Sequence, residues 1–349
     1  MNNKDWEKYK KNFKEKAIVF EKSEEYIEKH LLYAHNLITN NMPIIFDGEH
    51  LGSLVGINHE YLYKVSNSQK LFYRTFQISK RNGKKRTIHE PLPNLKIVQK
   101  WILNNILYSI KISKYAKAYV PGLSIKDNVR FHKKQNVVLK LDIEDFFNSI
   151  RKSDVQQVFI DAGFTIELSK LLTQLCTIKS FLPQGASTSA YLSNIVLNKF
   201  DDQVSKYCYE NKIRYTRYAD DLTFSGEFEQ KTVINFVKDQ LNLLGLSLNK
   251  NKINVLKKNK SQMVTGIVLN EKIQTQKKYR KKIRLEIYYI KKFGVLNHLE
   301  KSNNTLSVEQ YLKSLKGRIG YSLFINPYDS EMKKYQLFIN KVSGENSNY

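Results

Sequence analysis

Three aspartates are the residues of this sequence whose type and spacing best suit chemistry. Asp142 closes an apolar stretch, and Asp220 and Asp221 stand side by side in a short turn between two apolar stretches. Phosphoryl transfer by the two-metal route needs hard oxygen ligands that converge on two Mg²⁺ ions roughly 3.5–4 Å apart. Carboxylates at the ends of neighbouring strands can converge in that way. The three aspartates therefore predict a catalytic site for two Mg²⁺ ions, for which Mn²⁺ could substitute.

An Asp-Asp pair also occurs in ordinary solvated turns, where its side chains bond the local backbone. Here the pair lies between Tyr218 and Leu222. Carboxylates beside apolar residues are costly unless a cation neutralises them. Neighbouring residues of a strand point to opposite faces, whereas in a turn both can face one site. The apolar flanks and Asp142 favour the catalytic interpretation over the solvated turn.

Short strands are expected to position these aspartates. Residues 137–143 have the pattern of one strand, and 213–218 and 222–225 that of two strands joined by the acidic turn. Helical patterns follow at 166–178, 187–207 and 230–244. Strands that alternate with helices, together with a strand–turn–strand unit, predict an α+β fold flanked by helical pieces.

Two basic segments accompany the acidic residues. In the first, 71–88, strand-like alternation surrounds five Lys or Arg within seven residues and an Asn82-Gly83 pair typical of hairpin turns. The second, 250–292, holds fourteen Lys or Arg against two acids and is densest over 277–284. A helix this basic is expected to lie on phosphates. The alternative for the first segment is a solvated hairpin.

The composition points to a polyanionic partner. The 349 residues include 58 Lys or Arg and 33 Asp or Glu, a net charge of +25, and 41% hydrophobic residues, enough for a core. Such an excess of charge resists compaction, so nucleic acid is favoured as partner over a protein kept soluble by self-repulsion.

Cysteine usage and hydropathy bear on the compartment. Cys176 and Cys208 lie in no zinc-binding pattern, and two buried thiols in a reducing cytosol are favoured over a disulfide. No apolar run approaches the roughly 18 residues of a membrane span. The first residues lack the apolar core of a signal peptide. We expect a cytoplasmic protein with no membrane partner.

Four motifs in order resemble those of reverse transcriptases. Residues 218–221, Tyr-Ala-Asp-Asp, resemble the YxDD signature, and residues 141–147 resemble the first catalytic strand of that family. Residues 182–185, Leu-Pro-Gln-Gly, resemble the loop beneath the incoming nucleotide, and 245–252 resemble a Gly…Lys element after the palm helix. The resemblance implies an RNA-directed DNA polymerase with a right-hand fold: fingers, a palm with an antiparallel sheet, and a helical thumb.

The same resemblance implies a division of the chain. Residues 1–50 would form an N-terminal helical extension and 51–135 the fingers. Residues 136–270 would form the palm, with part of the fingers inserted around 151–185. Residues 271–349 would form the RNA-binding thumb.

The family's catalytic roles carry over to matching positions. Asp142 and Asp220 would be the main metal ligands, with Asp221 beside them. Phe147 occupies the position at which a bulky ring clashes with a 2′-OH and so selects dNTPs; the alternative is a core aromatic next to Phe146.

Further positions match the family's nucleotide contacts. Gln184 and Gly185 would contact the nucleotide and the template base. Lys252 would protonate or steady the leaving pyrophosphate, unless it is one of many surface lysines. Arg86, and with it Lys80, would hold the triphosphate, since Arg suits bidentate phosphate contact.

Two shorter elements resemble those of retron reverse transcriptases in particular. Residues 128–132, Asn-Val-Arg-Phe-His, resemble an Asn-Ala-x-x-His element, with Val129 in place of the usual Ala. Residues 264–266, Val-Thr-Gly, match an element that follows the palm. The predicted RNA-binding residues are Asn128, His132, Lys277, Lys278, Arg280, Lys281, Lys282 and Arg284.

The retron resemblance also implies partners. Retron polymerases bind a cognate structured non-coding RNA and prime from the 2′-OH of a guanosine in it. The product is a branched RNA–DNA molecule, msDNA. The expected partners are this RNA, the RNA–DNA product, dNTPs and a separate effector protein in anti-phage defence.

Three other functions remain open. A group II intron-type maturase would carry a further basic domain after the thumb, and a protein-primed polymerase of the abortive-infection type a long helical C-terminal domain. The sequence leaves little room for either. A non-enzymatic RNA-binding scaffold is disfavoured because Asp142, Asp220 and Asp221 are all present.

Overall fold

The computed structural model describes residues 3–79, 83 and 85–345. The helices are α1 Asn3–Val19, α2 Glu24–Thr39, α3 Gly48–Val55, α4 His59–Asn67, α5 Pro93–Asn105, α6 Ile125–Val129, α7 Phe146–Ser149, α8 Lys152–Asp161, α9 Ile166–Cys176, α10 Ser189–Val196, α11 Asn198–Glu210, α12 Gln230–Leu243, α13 Lys277–Phe293, α14 Val295–Lys301, α15 Val308–Ile325 and α16 Ser330–Glu345. The strands are β1 Tyr73–Ser79, β2 Lys85–Pro91, β3 Val137–Asp142, β4 Arg214–Tyr218, β5 Asp221–Gly226, β6 Asn254–Lys257, β7 Met263–Val264, β8 Ile267–Val268 and β9 Gln274–Thr275.

Within its described residues the chain forms two compact units, each assembled from separate segments. Unit one comprises Met1–Pro121, Ile143–Tyr207 and Asn235–Asn249. Unit two comprises Gly122–Asp142, Cys208–Ile234 and Lys250–Tyr349. The predicted division into extension, fingers, palm and thumb stays a prediction, since both units draw on several of those segments.

Unit one holds the basic hairpin and most of the helices. Strands β1 and β2 pair antiparallel from Tyr73↔Pro91 to Ser79↔Lys85, which confirms the predicted hairpin. Gly83 adopts a left-handed φ of 78°, as a tight turn requires. Helices α1 and α2 share an apolar cluster of Ala17, Ile27 and Leu31, so the N-terminal segment is helical as expected.

Unit two is built on a four-stranded antiparallel sheet of order β4-β5-β3-β6. Side chains alternate across a strand, so the register assigns each residue to a face. One face is apolar and includes Leu139, Leu141, Leu222 and Phe224, all fully or almost fully buried. The opposite face is here called the aspartate face, because Asp142 and its strand partner Asp221 lie on it.

The rest of unit two is largely helical. Helices α13, α14, α15 and α16 share a core in which Ile287, Leu315 and Met332 are buried. A second core joins Val138 of the sheet to Ile325 of α15. The antiparallel sheet and the helices α13–α16 agree with the predicted α+β class.

The two cysteines and the hydropathy of the helices can be compared with the predictions. Cys176 in unit one and Cys208 in unit two are both buried and free, as predicted. Burial raises the pKa of each thiol to about 12, so neither is reactive near neutral pH. Among the described helices, none combines the length and the apolar character that crossing a bilayer demands.

Candidate active site

The three aspartates meet at one end of the sheet in unit two. Strand β3 ends at Asp142, which pairs directly with Asp221 at the start of β5. Asp221 in turn pairs with Tyr218 at the end of β4, so Ala219 and Asp220 form a two-residue turn. Ala219 adopts a left-handed φ of 58°, a strained conformation for a residue with a side chain and one that clusters at functional sites.

Electrostatics at this turn disfavour three bare carboxylates. Burial raises the pKa of Asp220 to about 6, and the charges of Asp142 and Asp221 add to that rise. Burial also raises the pKa of Asp221; Lys140 and Lys252 oppose the shift and Asp142 adds to it. The cluster therefore holds more negative charge than its surroundings neutralise, which is the condition for binding a cation.

Lys252 forms an ion pair with one of these carboxylates, that of Asp142. It lies in a short 3₁₀ turn before β6, and its Nζ donates to both carboxylate oxygens of Asp142, at 2.8 and 2.7 Å. Desolvation by itself lowers the pKa of Lys252, but the hydrogen bonds to Asp142 and the nearby acidic charges outweigh it, so the net shift of the pKa is upward. Lys252 is thus part of the cluster and not merely a surface lysine.

The donor set suits a divalent cation, although its side chains face a lysine in this conformation. No group of three or more His, Cys, Asp or Glu converges with metal-holding geometry in the described part of the chain. Asp142 and Asp221 are nevertheless neighbours on one face, and two pKa values of the cluster are raised by burial and mutual repulsion. Carboxylate oxygens with unneutralised charge are the ligands that hard divalent cations prefer.

One residue of this cluster was not predicted. Lys140 lies two positions before Asp142, on the same face of β3, and its charge opposes the rise in the pKa of Asp221. The two-residue periodicity of the strand could have identified it, because that periodicity places Lys140 beside the carboxylates.

The predicted nucleotide loop lies in unit one, against the hairpin. The backbone N–H of His89 on β2 donates to the carbonyl oxygen of Gln184 at 2.8 Å. Gly185 has a left-handed φ of 122°, and a Cβ there would lie 2.8 Å from the carbonyl oxygen of His89. Glycine is therefore required by both conformation and space. Gln184 and Gly185 are brought together with β2, the strand that carries Arg86.

Phe147, Arg86 and Lys80 are the remaining predicted nucleotide contacts. Phe146 is 4% exposed and serves the core, whereas Phe147 is half-buried with its ring centroid 5.3 Å from that of Phe146. This agrees with Phe147 being the one available to a ligand. Arg86 is exposed on β2, opposite Ile78. Lys80 lies outside the described residues.

Asn128 and His132 are in a different place from the one expected. Both are fully buried in unit two, in a hydrogen-bond network with Thr216 of β4 and Ser225 of β5. A side chain with no exposed surface cannot donate to a phosphate, so the prediction of direct RNA contact at these positions is corrected. Their partners, 84 to 93 residues later in the chain, could not be read from the motif.

The predicted basic helix is α13, and its cations fall into two classes. Arg280 bonds Asp329 and Glu331 at 3.1 and 3.0 Å, and Arg284 makes two bonds to Glu331 at 2.6 and 2.9 Å. These guanidinium groups are already engaged with α16 and its approach, and a phosphate would have to compete. The four lysines, by contrast, are exposed: Lys277, Lys278, Lys281 and Lys282.

The Val-Thr-Gly element forms a hairpin turn. Strands β7 and β8 pair through Val264↔Ile267, and Thr265 and Gly266 between them both have left-handed φ values, 45° and 82°. Two left-handed residues in a two-residue loop are typical of a type I′ turn, and the second position favours glycine. The match to this element therefore has a local structural reason.

Comparison with known proteins agrees with the motifs. Residues 78–283 match the family described as reverse transcriptase (RNA-dependent DNA polymerase), and all four predicted motifs lie inside that range. The chain is 32% identical over 254 residues to the retron Ec86 reverse transcriptase of Escherichia coli, covering 71% of this chain and 79% of that protein.

Two further relatives extend the comparison. The chain is 32% identical over 289 residues to the retron Ec83 reverse transcriptase of Escherichia coli, covering 75% and 86% of the two chains. It is 29% identical over 305 residues to the retron Mx65 reverse transcriptase of Myxococcus xanthus, covering 80% and 68%. The similarity thus extends well beyond the motifs.

Proposed function

The chain belongs to the retron-type reverse transcriptases and is an RNA-directed DNA polymerase, and from that premise we propose that it copies part of a cognate structured non-coding RNA into a branched RNA–DNA product. The right-hand polymerase class follows from the same family membership. The proposal extends to the catalytic residues, the metal ions, the RNA and the biological role.

One observation carries the catalytic assignment: three carboxylates share one end of the sheet, with more negative charge than Lys252 and Lys140 neutralise. We propose that Asp142, Asp220 and Asp221 hold two Mg²⁺ ions, for which Mn²⁺ can substitute. When bound, such ions lower the pKa of the attacking hydroxyl and stabilise the leaving pyrophosphate. The raised pKa of Asp220 falls when a cation compensates its neighbours, so the residue binds as a carboxylate at neutral pH.

Lys252 has a role of its own in this proposal. Its Nζ carries a proton, since its pKa is shifted upward, and its side chain is 55% exposed, so the ammonium can be reached by a ligand. We expect Lys252 to leave Asp142 and donate a hydrogen bond, or its proton, to the leaving pyrophosphate. A general acid must lie within hydrogen-bond reach of the group that it protonates, and Lys252 already sits at the carboxylates.

The nucleotide contacts are proposed for unit one. Arg86 on the hairpin, together with Lys80, would bind the triphosphate, while Gln184 and Gly185 would contact the nucleotide and template base. The half-buried ring of Phe147 would exclude a 2′-OH, which makes dNTPs the substrates. The bond between His89 and Gln184 supports this grouping, because it fixes the loop to the strand that carries Arg86.

The RNA contacts are proposed for α13. Its exposed lysines, Lys277, Lys278, Lys281 and Lys282, offer charge that no acid of the described residues neutralises by an ion pair. Lysine ammonium groups of this kind bind phosphates as point charges and release counterions. The expected partner is the cognate non-coding RNA, primed from a 2′-OH to give msDNA, with a separate effector protein in anti-phage defence.

The decisive experiment is to purify the protein with its native operon and extract the bound nucleic acid. Half of the extract is treated with RNase and half with DNase. A single short DNA joined to RNA through a branch would support the proposal and identify the template. RNA alone, with no DNA formed after addition of Mg²⁺ and dNTPs, would instead favour a scaffold or a maturase.

A further inference from the structure

A buried polar network lies on the aspartate face of the sheet and takes no part in the proposed chemistry. The His132 ring lies across β4 and β5, with Nδ1 2.7 Å from Ser225 Oγ and Nε2 2.8 Å from Thr216 Oγ1. Thr216 in turn donates to Asn128 Oδ1 at 2.7 Å. All four residues are completely buried. Buried polar groups of this kind specify one arrangement, because each lost bond leaves an unpaired partner.

The hydrogen bonds fix the state of the His132 ring. With the Asn128 amide oriented so that Oδ1 accepts the Thr216 hydroxyl proton, Nε2 carries a proton and donates to Thr216. Nδ1 is then the acceptor and receives the Ser225 hydroxyl proton. Burial, with the charge of Arg214, lowers the pKa of His132 to about 3, which agrees with a neutral ring.

The network joins the two strands that carry the acidic turn. Thr216 lies two residues before Tyr218 on β4, and Ser225 lies four residues after Asp221 on β5. Their register puts them on the same face as Asp142 and Asp221. Within the described residues β4 pairs only with β5, so its other edge has no strand to hold it. The hydrogen bonds of His132 to Thr216 and Ser225 hold β4 against β5 and so compensate for the lack of a strand on the other edge of β4.

The segment that carries His132 is itself firmly held. Ser124 and Asp127 form a capping box at the start of α6, and Val129 is buried against Val138 of the neighbouring strand β3. Arg214 of β4 also donates to the carbonyl oxygen of Phe131 at 2.8 Å. The network therefore connects the edge strand to a rigid support and not to a mobile loop.

We propose that His132 is a positioning residue for polymerisation: by binding Thr216 and Ser225 together, it fixes the turn that presents Asp220 and Asp221. The inference rests on the proposed role of those aspartates. A catalytic constellation tolerates displacements of only about 0.5 Å. A small shift of β4 against β5 would thus weaken metal binding and turnover, while leaving RNA binding on α13 as it was.

Conservative variants separate the two hydrogen bonds. A glutamine amide reaches the position of Nε2, so His132→Gln keeps the donor to Thr216 and loses the bond to Ser225. An asparagine amide reaches the position of Nδ1, so His132→Asn keeps the contact with Ser225 and loses Thr216. Because Thr216 is nearer to the turn, we expect activity in the order wild type, His132→Gln, His132→Asn, His132→Ala.

The matched control is Thr275→Val. Thr275 Oγ1 and Ser322 Oγ form a buried 2.7 Å hydrogen bond between β9 and α15, in the same unit and outside the sheet that carries the three aspartates. This variant loses a buried hydrogen bond of the same kind. It is expected to lower the melting temperature and to leave kcat and the Mg²⁺ dependence as in wild type.

The experiment measures dTTP incorporation on oligo(dT) annealed to poly(rA) by each full-length variant. This assay gives kcat and the Mg²⁺ concentration for half-maximal rate. RNA affinity and melting temperature are measured separately for each variant. For His132→Asn we expect kcat to fall and the half-maximal Mg²⁺ concentration to rise, each roughly tenfold, with RNA affinity unchanged. Ser225→Ala, combined with His132→Gln, should add little further loss, since both remove the same bond.

The outcomes are distinct. If His132→Gln and His132→Asn melt lower, like Thr275→Val, yet keep wild-type kcat and Mg²⁺ dependence, His132 is merely structural and the proposal is overturned. If His132→Ala fails to fold, the glutamine and asparagine variants decide. Absence of incorporation by the wild type, or full activity of Asp220→Asn, would refute the catalytic assignment and, with it, the positioning role of His132. An inactive Asp220→Asn beside a fully active His132→Asn would refute the role of His132 alone.

Discussion

Unit two contains two charge imbalances of opposite sign, one at the acidic turn and one on α13. At the turn, Asp142 is met by Lys252, but Asp220 and Asp221 remain without enough cation, and their pKa values are raised. On α13 Glu331 of α16 already engages Arg280 and Arg284, whereas within the described residues no ion pair forms at Lys277, Lys278, Lys281 or Lys282. Charge that the fold satisfies is structural, whereas charge that it leaves unsatisfied indicates where a ligand of opposite sign belongs.

The strongest test of this comparison removes one charge from the turn. Asp220→Asn is expected to lower the rate of DNA synthesis roughly 1000-fold or more, since an amide is a far poorer ligand for a hard cation. The measurement is dNTP incorporation on a primed RNA template, with RNA affinity as the control. In metal-free buffer the variant should also melt at a higher temperature, because the charge that it lacks is held at a raised pKa.

Both halves of that result matter. DNA synthesis that survived the substitution would show that the metal assignment is wrong. A lower melting temperature without metal would show that the wild-type cluster is not under electrostatic strain, and the contrast with α13 would fail.

The second test concerns Lys252, which forms an ion pair within the fold and is also proposed to contact the leaving pyrophosphate. Lys252→Gln is expected to lower kcat roughly 100-fold, since the variant can neither neutralise Asp142 nor donate a proton to pyrophosphate. Lys250→Gln is the matched control, because Lys250 is exposed in the same 3₁₀ turn. Single-turnover incorporation measures the effect, and equal rates for the two variants would make Lys252 a surface lysine after all.

The placement of the three aspartates on the sheet could be predicted from the sequence because it depends on local pattern. Apolar alternation ended a strand at Asp142, and the Asp-Asp pair between two short strands placed the turn. The same reasoning located the hairpin. In each case the geometry is set within a few residues, where strand periodicity and turn propensity act.

Contacts between distant segments could not be predicted in this way. His132 was expected at the RNA, yet Ser225 and Thr216, which enclose it, lie 93 and 84 residues later. Arg284 was expected at the RNA as well, although Glu331, 47 residues on, engages it. A motif or a helical face shows which residues act together, but only the tertiary packing shows what they face.

The third test divides the cations of α13. Replacing Lys277, Lys278 and Lys281 by Gln is expected to weaken RNA binding roughly tenfold and to flatten the slope of affinity against salt. Arg284→Gln, which also removes one charge from the helix, should leave the slope nearly unchanged and lower the melting temperature instead. Fluorescence anisotropy over a salt series measures both. Arg284→Gln could instead flatten the slope by as much per charge as the lysine variant does. The ion-paired arginine would then contribute to RNA binding as much as each exposed lysine, and the comparison would fail.

The smallest expected effect concerns a group that the fold keeps neutral. Because burial lowers the pKa of His132 to about 3, the unfolded chain binds a proton below its ordinary pKa near 6.5 and the folded chain does not. The stability from this residue is present above pH 6.5 and is lost as the pH falls toward 3, by about 1 kcal/mol between pH 7 and pH 5.5. Urea unfolding followed by circular dichroism at these two pH values should show that loss in wild type and a smaller one in His132→Gln. Asp220 changes the free energy of unfolding in the opposite direction, because protonation of a carboxylate with a raised pKa favours the folded state. Wild type and His132→Gln share this effect, so the informative quantity is the difference between the two proteins. An equal loss in both would mean that His132 is accessible to protons in the folded state and does not hold β4 and β5 together as a neutral ring.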